Sequence, residues 1–471
     1  MLLTSCSFAP DYERPFMEIP TQYKEEGEWV LADPEAASLT RDPWWEKYED
    51  PQLNELVEAL LLANQDLKLA IARYDQAKAL ADIQRSFLFP TITALAVPSR
   101  QNISQNIANP ARNSPYNDLF LGFDLSYELD VWGQVRNTVL AADNEAKASE
   151  VDIAAIELSL QALLTSYYFS LRGADLAQIT LEGVVKAYEE ALYLYRKRYE
   201  GGAAPLQAIF DTQVQVESAK TYATDMQLIR AQYEHAIAVL IGKTPAELDI
   251  PVIADATQKV VMVAPELPST LLERRPDIAA AELRVQEANA TIGVARAAYF
   301  PTFNLFGSFG VESTKLSNLF NVDSLVWSLG PGAGAASLGT VIDGPPIIEI
   351  ITDGGEIAAL NRNAWAIYHE AVATYRQTVL KAFQEVEDSL VSMRKLAEED
   401  LSQTAATKAA IGSVDQALHR YQGGLTTYLD VVIVEDIALQ NQLRMIDIRT
   451  RHQIASVQLI KALGGGWSEL E

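Results

Sequence analysis

The stretch that decides the fold is RYEGG, Arg198-Tyr199-Glu200-Gly201-Gly202, which returns 222 positions later as RYQGG, Arg420-Tyr421-Gln422-Gly423-Gly424. A glycine just past the last turn of a helix adopts the left-handed conformation that closes that turn. The second glycine of each pair lets the chain reverse. A new helix is predicted to begin at Pro205 in the first case, and near Thr427 in the second, where Asp430 favours the positive helix end. Each phrase therefore predicts the tip of a hairpin of two antiparallel helices.

Other segments also match at constant offsets, which predicts an internal duplication. Residues 132–135 (WGQV) align with 354–357 (GGEI) at the same offset of 222, and residues 89–91 (FPT) align with 300–302 (FPT) at an offset of 211. The second copy therefore carries 11 extra residues, near 330–350. Glycine and proline are frequent there, which is unusual for a strand. This segment is expected to form either a loop or a bulge.

Each copy predicts a helix followed by strands. The first helix begins at Asp50-Pro51 and runs to the Phe-Pro-Thr stop, because proline lacks the donor that a helix interior needs. Apolar and polar residues then alternate over 118–130, interrupted by Phe120, and again over 303–312. This pattern predicts membrane-barrel strands with an apolar outer face, while a half-buried strand of a soluble core is the alternative.

Two long helices dominate the predicted content. Residues 135–199 and 357–421 contain no proline, and about 65 residues at 1.5 Å each make a rod of about 100 Å. Apolar residues three and four apart near their ends are typical of a coiled-coil seam. Return helices are predicted over 206–242 and 428–464. Four strands per chain are too few to close a barrel, for which eight is the usual minimum, so oligomerisation is expected.

The composition excludes several classes of function. The chain has 471 residues, 49% of them hydrophobic, and a net charge of −26. Binding to nucleic acid needs a basic footprint, so nucleic acid is excluded as a partner. The sequence has no run of 18 apolar residues, so no membrane-spanning helix is predicted. The four histidines are far apart and lack zinc-site spacing, and we expect neither a metal site nor a cofactor nor an enzyme.

Cys6 is the single cysteine, so no internal disulfide is possible. It ends the stretch Leu3-Thr4-Ser5-Cys6, which resembles a bacterial lipobox with an acylated cysteine. Five preceding residues are too few for a signal peptide, so the start is expected to be truncated or misassigned. An unmodified thiol near the terminus is the alternative.

Taken together, these motifs resemble TolC-type outer-membrane channels, and more narrowly the lipoprotein branch that serves tripartite efflux pumps. The resemblance covers essentially the full length. The segments that match the family are the lipobox with residues 9–12 (APDY), residues 127–133 (YELDVWG), 271–278 (LLERRPDI), 300–302 (FPT), 385–388 (EVED) and the two hairpin tips.

The resemblance implies an α+β membrane protein that works as a homotrimer. Three chains of four strands would form one transmembrane β-barrel, and their helices a coiled-coil barrel across the periplasm. The implied partners are a periplasmic adaptor, an inner-membrane resistance-nodulation-division transporter and outer-membrane lipid. The expected parts are a lipidated segment that wraps the equatorial region (1–50), two repeats (51–250 and 276–464), an equatorial linker (251–275) and a tail (465–471).

The resemblance also implies that the second tip borders the periplasmic gate. Leu429 matches an apolar gate ring and Asp430 an acidic ring, with a buried seam position and a helix cap as the respective alternatives. Tyr421 is retained from the family pattern. The remaining tip positions are expected to dock the adaptor: Arg198, Tyr199, Gly201, Gly202, Arg420, Gly423 and Gly424.

Three positions depart from the family pattern at this gate. Ile433 and Ala208 replace aspartates, and Thr426 replaces an arginine of the family's polar latch. We therefore do not expect that latch. A more hydrophobic gate, or one that uses Glu435 and Asp436, is the hypothesis.

Two other functions compete with efflux. The same fold serves type I protein secretion, although the lipobox favours the pump branch. A soluble periplasmic coiled-coil scaffold is the other alternative, and the alternating strands argue against it.

Overall fold

A computed structural model of the chain describes residues 7–20, 23–25, 43–104, 106, 115–253, 259–261, 275–332 and 354–465. Most of the 11-residue excess, most of the linker, the tail beyond residue 465 and Cys6 lie outside these ranges. The elements, in chain order, are α1 (Pro51–Ala63), α2 (Gln65–Ser86), β1 (Thr91–Gln101), β2 (Tyr116–Leu129), α3 (Gln134–Glu200), α4 (Leu206–Leu240), α5 (Pro276–Ala297), β3 (Phe303–Ser313), β4 (Leu325–Gly332), α6 (Glu356–Gln422) and α7 (Tyr428–Ala462).

The helix lengths agree with the predicted duplication. The long helices α3 and α6 both have 67 residues, and the return helices α4 and α7 both have 35. The shorter helices α2 and α5 both have 22. The return helices end two residues before Gly242 and Gly464, because these glycines, with φ of 70° and 92°, lie beyond the last turn.

The first predicted helix is divided in two at Asn64. This residue has an extended ψ of 133° and separates α1 from α2. Its side chain accepts a hydrogen bond from the Leu67 amide at 2.9 Å and donates one to the Leu240 carbonyl at 2.7 Å. Asn64 therefore caps the start of α2 and ties this break to the end of α4. The sequence pattern did not reveal the break, because a buried asparagine can equally well lie within a helix.

The four strands form one antiparallel sheet in the order β1-β2-β3-β4. The register aligns Phe123, Phe309 and Trp327 across β2, β3 and β4. Their side chains are 55%, 57% and 68% exposed. Since side chains of one parity share a face, this face is apolar along the sheet: Ile92, Ala94, Leu121, Phe123, Leu125, Leu305, Phe309, Val311, Leu325, Trp327 and Leu329.

The opposite face of the sheet is more polar. It carries Asp118, Asp124, Glu128, Asn304, Ser308 and Glu312. Phe120 and Phe306 share it, and Phe120 is the residue that interrupts the alternation in the sequence. The prediction of strands with one apolar and one largely polar face is confirmed for β2 and β3.

The chain folds into two compact units, each with parts of both repeats. The first comprises Met1–Phe16, Arg73–Glu150 and Ala280–Arg376, and contains the sheet. The second comprises Met17–Ala72, Val151–Ala279 and Gln377–Glu471, and contains both hairpin tips. Among the described residues, no helix is long and apolar enough to cross a membrane.

The second unit is organised around aromatic and charged side chains. Trp44 and Tyr48, from a short 3-10 turn, are buried, and the Tyr48 ring lies 4.8 Å from that of Phe169. Asp175 is completely buried and accepts hydrogen bonds of 2.7 Å from both Arg172 and Arg230. The buried carboxylate is thus compensated by two guanidinium groups.

Candidate functional site at the helix tips

The long helices α3 and α6 end at the two RY-x-GG segments with the same backbone geometry. In the first, the amide of Ala203 donates to the Arg198 carbonyl at 2.7 Å, and that of Gly202 to the Tyr199 carbonyl at 2.9 Å. This pair of bonds is a Schellman motif. The second tip repeats it, with Leu425 bonded to Arg420 at 2.9 Å and Gly424 to Tyr421 at 3.0 Å.

The left-handed residue of each tip is the second glycine. Gly202 and Gly424 have φ of 71° and 72°, whereas Gly201 and Gly423 have no positive φ. The sequence interpretation assigned the left-handed conformation to the glycine just past the helix. In the structure the left-handed residue is the next one along the chain, because Gly201 and Gly423 still form part of the last turn.

The start of α7 has the cap that the sequence predicts. The Asp430 carboxylate accepts hydrogen bonds from the Thr427 amide at 3.1 Å and the Thr427 hydroxyl at 2.9 Å, and also from the Thr426 hydroxyl. These bonds, led by that from Thr426, lower the pKa of Asp430. Asp430 is therefore a charged, exposed helix cap.

A cluster of tyrosines joins the two hairpins just behind the tips. Tyr195 of α3 donates a hydrogen bond of 2.8 Å to the hydroxyl of Tyr421 of α6. Arg198 also donates to this hydroxyl, and its guanidinium carbon lies 5.6 Å from the Tyr421 ring centre. The ring of Tyr428 lies 4.6 Å from that of Tyr195 and 5.5 Å from that of Tyr421. Tyr421 thus has polar partners other than those of the family's latch.

The phenols of Tyr195 and Tyr428 remain neutral at physiological pH. Burial, followed by the hydrogen bond with Tyr421, raises the pKa of Tyr195. Burial also raises the pKa of Tyr428. From the sequence, Tyr195 is predicted only as a seam position and Tyr428 only as the start of a return helix, although Tyr195 lies three positions before Arg198 and hence on the same side of α3.

Two buried polar atoms without a partner in the described structure lie below this cluster. They are the hydroxyl of Tyr188, whose side chain is 3% exposed, and Oε2 of Glu435. Burial raises the pKa of Glu435. The pKa of Tyr188 is raised by burial and then by the charges of Glu435 and Asp436. Glu435 and Asp436, which the sequence offers as alternative gate residues, therefore lie beside the interface between α3 and α7.

An apolar row lies on one side of α7. Leu429, Ile433 and Ile437 are 52%, 50% and 47% exposed, and their spacing of four places them on one face. Leu425 precedes them and is 75% exposed. The opposite face is buried within the unit: Val431, Val432, Ala438 and Leu439. Leu429 is therefore not a seam residue buried within its own chain.

The remaining predicted tip residues are accessible in the described chain. Tyr199 is 45% exposed, and Arg420 and Gly423 are also exposed. In the residues that the structure describes, no group of three or more histidine, cysteine or acidic side chains could hold a metal ion.

Comparison with known proteins identifies this arrangement. The family model described as outer membrane efflux protein matches residues 56–243, 267–340 and 347–465. The chain belongs to the outer membrane efflux protein family. The resemblance to TolC-type channels is thereby confirmed, as are the mixed helix-and-strand fold and the expected role in efflux at the outer membrane.

Relatives of this efflux protein match over nearly the whole length. The outer membrane protein OprJ of Pseudomonas aeruginosa is 31% identical and aligns over 100% of this chain and 95% of its own. The cation efflux system protein CusC of Escherichia coli is 27% identical, over 100% and 97%. The probable outer membrane lipoprotein SilC of Salmonella typhimurium is 27% identical, over 99% and 97%.

Solved channel structures share the fold of this efflux protein. The outer-membrane channel OprN has a TM-score of 0.84 at 28% identity, with 98% of this chain and 100% of that chain covered. The Campylobacter jejuni CmeC outer membrane channel has a TM-score of 0.85 at 26% identity, with 99% and 96% covered. The family and these relatives are channels and pump components, not enzymes.

Proposed function

We propose that this chain forms a homotrimeric outer-membrane exit channel, in which three four-stranded sheets close one barrel. The observation that carries the proposal is the sheet itself, because its apolar face is exposed and its edge strands β1 and β4 pair with no other described strand. An open edge is not tolerated in lipid, so neighbouring copies must complete the hydrogen bonding. In a soluble scaffold this apolar face would be exposed to water, which is unfavourable, whereas large exposed apolar patches mark contact with a partner or a membrane.

The hairpin tips supply the periplasmic gate in this proposal. Around a three-fold axis, the apolar row Leu429, Ile433 and Ile437 of each copy would face its two equivalents and narrow the pore. A hydrophobic constriction can close a pore by excluding water. The row occupies the place where the family pattern has an aspartate, at Ile433, which supports the apolar gate over an acidic one. Asp430 serves as the helix cap beside this gate.

The contact of Arg198 and Tyr195 with Tyr421 serves as the latch of the closed state. It links the two hairpins of one chain, so the tips separate only when this contact breaks. The exposed tip residues, among them Tyr199 and Arg420, form the docking surface for a periplasmic adaptor. An inner-membrane transporter of the resistance-nodulation-division type supplies the substrate. One relative, CusC, is named as a cation efflux system protein. The channel itself needs no specific substrate-binding site.

The outer-membrane anchor is the acylated thiol of Cys6. The lipobox supports it, as does the name of the relative SilC, an outer membrane lipoprotein. Mass spectrometry of the protein purified from membranes tests this part directly. The expected result is a diacyl- or triacyl-modified cysteine, and an unmodified N-terminal peptide would contradict it.

Single-channel recording in planar bilayers tests the gate. Leu429→Ser is expected to raise conductance, because a hydroxyl on each copy lets water enter the constriction. Leu401→Ser is the matched control, since Leu401 is 75% exposed but lies far from the tip on α6. Unchanged conductance in Leu429→Ser, or an equal rise in both variants, would contradict the gate position.

A further inference from the structure

The latch takes its arginine and its tyrosine from different RY-x-GG segments. Arg198 of the first segment donates to the hydroxyl of Tyr421 of the second, and its guanidinium carbon lies 5.6 Å from the centre of that ring. Each segment also holds the other residue type, Tyr199 in the first and Arg420 in the second. Within the described residues, neither of these two side chains forms a hydrogen bond or an ion pair. One tyrosine and one arginine therefore remain for a second contact of the same kind.

The side chains of Tyr199 and Arg420 are accessible for such a contact. Tyr199 is 45% exposed, and Arg420 is exposed as well. The charge of Arg420 acts on Asp430, whose carboxylate already accepts hydrogen bonds from Thr426 and Thr427. A guanidinium has several N–H donors in a planar fork. Arg420 can therefore donate to a further acceptor while it stays close to Asp430.

The two hairpins correspond residue by residue. Their long helices both have 67 residues and their return helices both have 35, at a constant offset of 222 positions. At this offset Arg420 is the counterpart of Arg198, and Tyr199 is the counterpart of Tyr421. The pair that stays unused within the chain is thus the same pair as the latch, with the two repeats exchanged.

The contact between the hairpins joins two different faces. The first hairpin contributes the face with Arg198, and the second contributes the face with Tyr421. A contact of this kind is heterologous, and heterologous contacts between equivalent units form a ring when the rotation closes. The faces left uncovered are those of Arg420 on the second hairpin and of Tyr199 on the first. In a closed trimer, the second hairpin of one copy therefore meets the first hairpin of the next.

The surface of α4 supports this arrangement. The ring of Tyr428 on α7 lies 4.6 Å from a tyrosine ring of α3, and its counterpart on α4, Leu206, is 46% exposed. Thr450 on α7 packs on Gly173 of α3, where an added Cβ would clash with the threonine hydroxyl. Its counterpart on α4, Leu228, is 56% exposed. Positions that α7 packs against α3 are thus exposed leucines on α4, as expected of a surface that another copy covers.

We propose that the guanidinium of Arg420 donates to the Tyr199 hydroxyl of a neighbouring copy, which repeats the latch between the copies of the trimer. The partner of this surface is a second copy of the same chain. The inference rests on the proposed trimer and on the proposed latch. The proposed adaptor surface uses the same two side chains, so an adaptor that binds them releases this contact.

The contact between copies has fewer donors than the latch. Within one chain, the hydroxyl of Tyr421 accepts from Arg198 and also from Tyr195, at 2.8 Å. The counterpart of Tyr195 is Ala417, which has no hydroxyl. Only the arginine therefore donates between copies, and this contact is the weaker of the two.

Crosslinking of the full-length protein in isolated outer membranes tests the contact. Tyr199→Cys and Arg420→Cys are combined in one chain. The matched control combines Arg198→Cys with Tyr421→Cys, which places the same changes at the contact within the chain. A bifunctional methanethiosulfonate reagent with the reach of an arginine–tyrosine pair is added, and the products are separated on a denaturing gel without reductant. The parent, whose one cysteine is Cys6, and the single variants give the background.

The first pair is expected to give a covalently linked trimer, and the control pair a monomer. A first pair that is trimeric in native mass spectrometry but yields no covalent trimer would overturn the proposal. Covalent trimers from the control pair or from a single variant would do so as well. If the parent itself is not a trimer in native mass spectrometry, the proposed channel fails together with this inference, whereas a trimer without the crosslink refutes this inference alone.

Recording in planar bilayers tests the same contact without new cysteines. Tyr199→Phe and Arg420→Gln should each raise the ratio of open to closed channels by about tenfold, as for the loss of one charge-assisted hydrogen bond. The double variant should rise no further. Tyr193→Phe is the control, since Tyr193 is 62% exposed on the same helix as Tyr199. No adaptor is present, so lost docking cannot cause the change. Additive effects, or gating like that of the parent, would overturn the proposal.

Discussion

The hydroxyl of Tyr195 lies 2.8 Å from the hydroxyl of Tyr421, and this hydrogen bond joins the ends of two helices that come from different copies of the repeat. The Tyr421 hydroxyl also accepts from Arg198. A single phenolic oxygen therefore receives two donors from the first hairpin, one of them charged, and charge-assisted hydrogen bonds are the stronger kind.

Removal of that oxygen is expected to loosen the tips. Tyr421→Phe keeps the ring contact with Tyr428 but leaves the Tyr195 hydroxyl and the Arg198 guanidinium without this acceptor. We expect a higher open probability in planar bilayers. Tyr193→Phe is the control, since Tyr193 is 62% exposed on the same helix as Tyr195. A Tyr421→Phe channel that gates like the parent would exclude the latch role.

The paired glycines of a tip are expected to respond differently to the same substitution. Gly202 has a φ of 71°, a conformation that costs an alanine about 1–2 kcal/mol, whereas Gly201 has no positive φ. Gly202→Ala should therefore destabilise the first tip by about 1 kcal/mol, while Gly201→Ala should be nearly neutral. Hydrogen exchange at the Ala203 amide, which bonds to Arg198, measures the difference. Equal protection in both variants would contradict the assignment.

The interface below the tyrosine cluster is expected to weaken as pH rises. Burial raises the pKa of Glu435, so between the usual carboxyl pKa and the raised value the folded protein holds a proton that the unfolded chain has lost. Stability therefore decreases with rising pH across that window. The charge of Glu435 acts on Tyr188 and Tyr428, whose pKa values are also raised by burial, so both phenols are neutral in this window.

Glu435→Gln is expected to remove this pH dependence and to raise the melting temperature at neutral pH. Thermal unfolding of the detergent-solubilised protein over a pH series measures both effects. Asp415→Asn, at an exposed site on α6, is the control. A pH slope that persists unchanged in Glu435→Gln would assign the titration to another group.

The buried charges of the second unit are expected to be far more sensitive than surface charges. Asp175→Asn leaves Arg172 and Arg230 without their shared carboxylate, and removal of one partner of a buried ion pair costs about 3–5 kcal/mol. Asp225→Asn, on the exposed face of α4, should change stability little. Urea unfolding of the solubilised protein compares them, and similar midpoints for the two variants would be inconsistent with this account.

Regular periodic features could be predicted from the sequence, and features that depend on a single distant partner could not. The boundaries of α3 and α6 follow from proline-free segments that end at double glycines, and the structure places them within one residue of the prediction. The Thr427–Asp430 cap is also local and was predictable. The break at Asn64 was not, because it depends on the carbonyl of Leu240, 176 residues away.

The same distinction holds at the candidate site. Leu429 and Tyr421 could be named from the resemblance to TolC-type channels, but the partners of Tyr421 come from α3, and no local pattern relates the two helices. Tyr195 and Tyr428 look like ordinary seam aromatics in the sequence. Residues 7–16 were expected only as part of a lipidated segment, because their contacts with Glu282 and Asn289 span about 270 residues.

The corresponding helices of the two repeats have equal lengths. The alignment of their ends at the tips therefore depends on both repeats. Tyr195 and Tyr421 both lie in the last two turns of helices of equal length, since α3 and α6 both have 67 residues, and α4 and α7 both return over 35. A deletion of four residues in α3 alone would draw Tyr195 back by about 6 Å, one helical turn. Its hydroxyl would then no longer reach Tyr421. We therefore expect a change in the length of one long helix to preserve this contact only when the other long helix changes by the same amount.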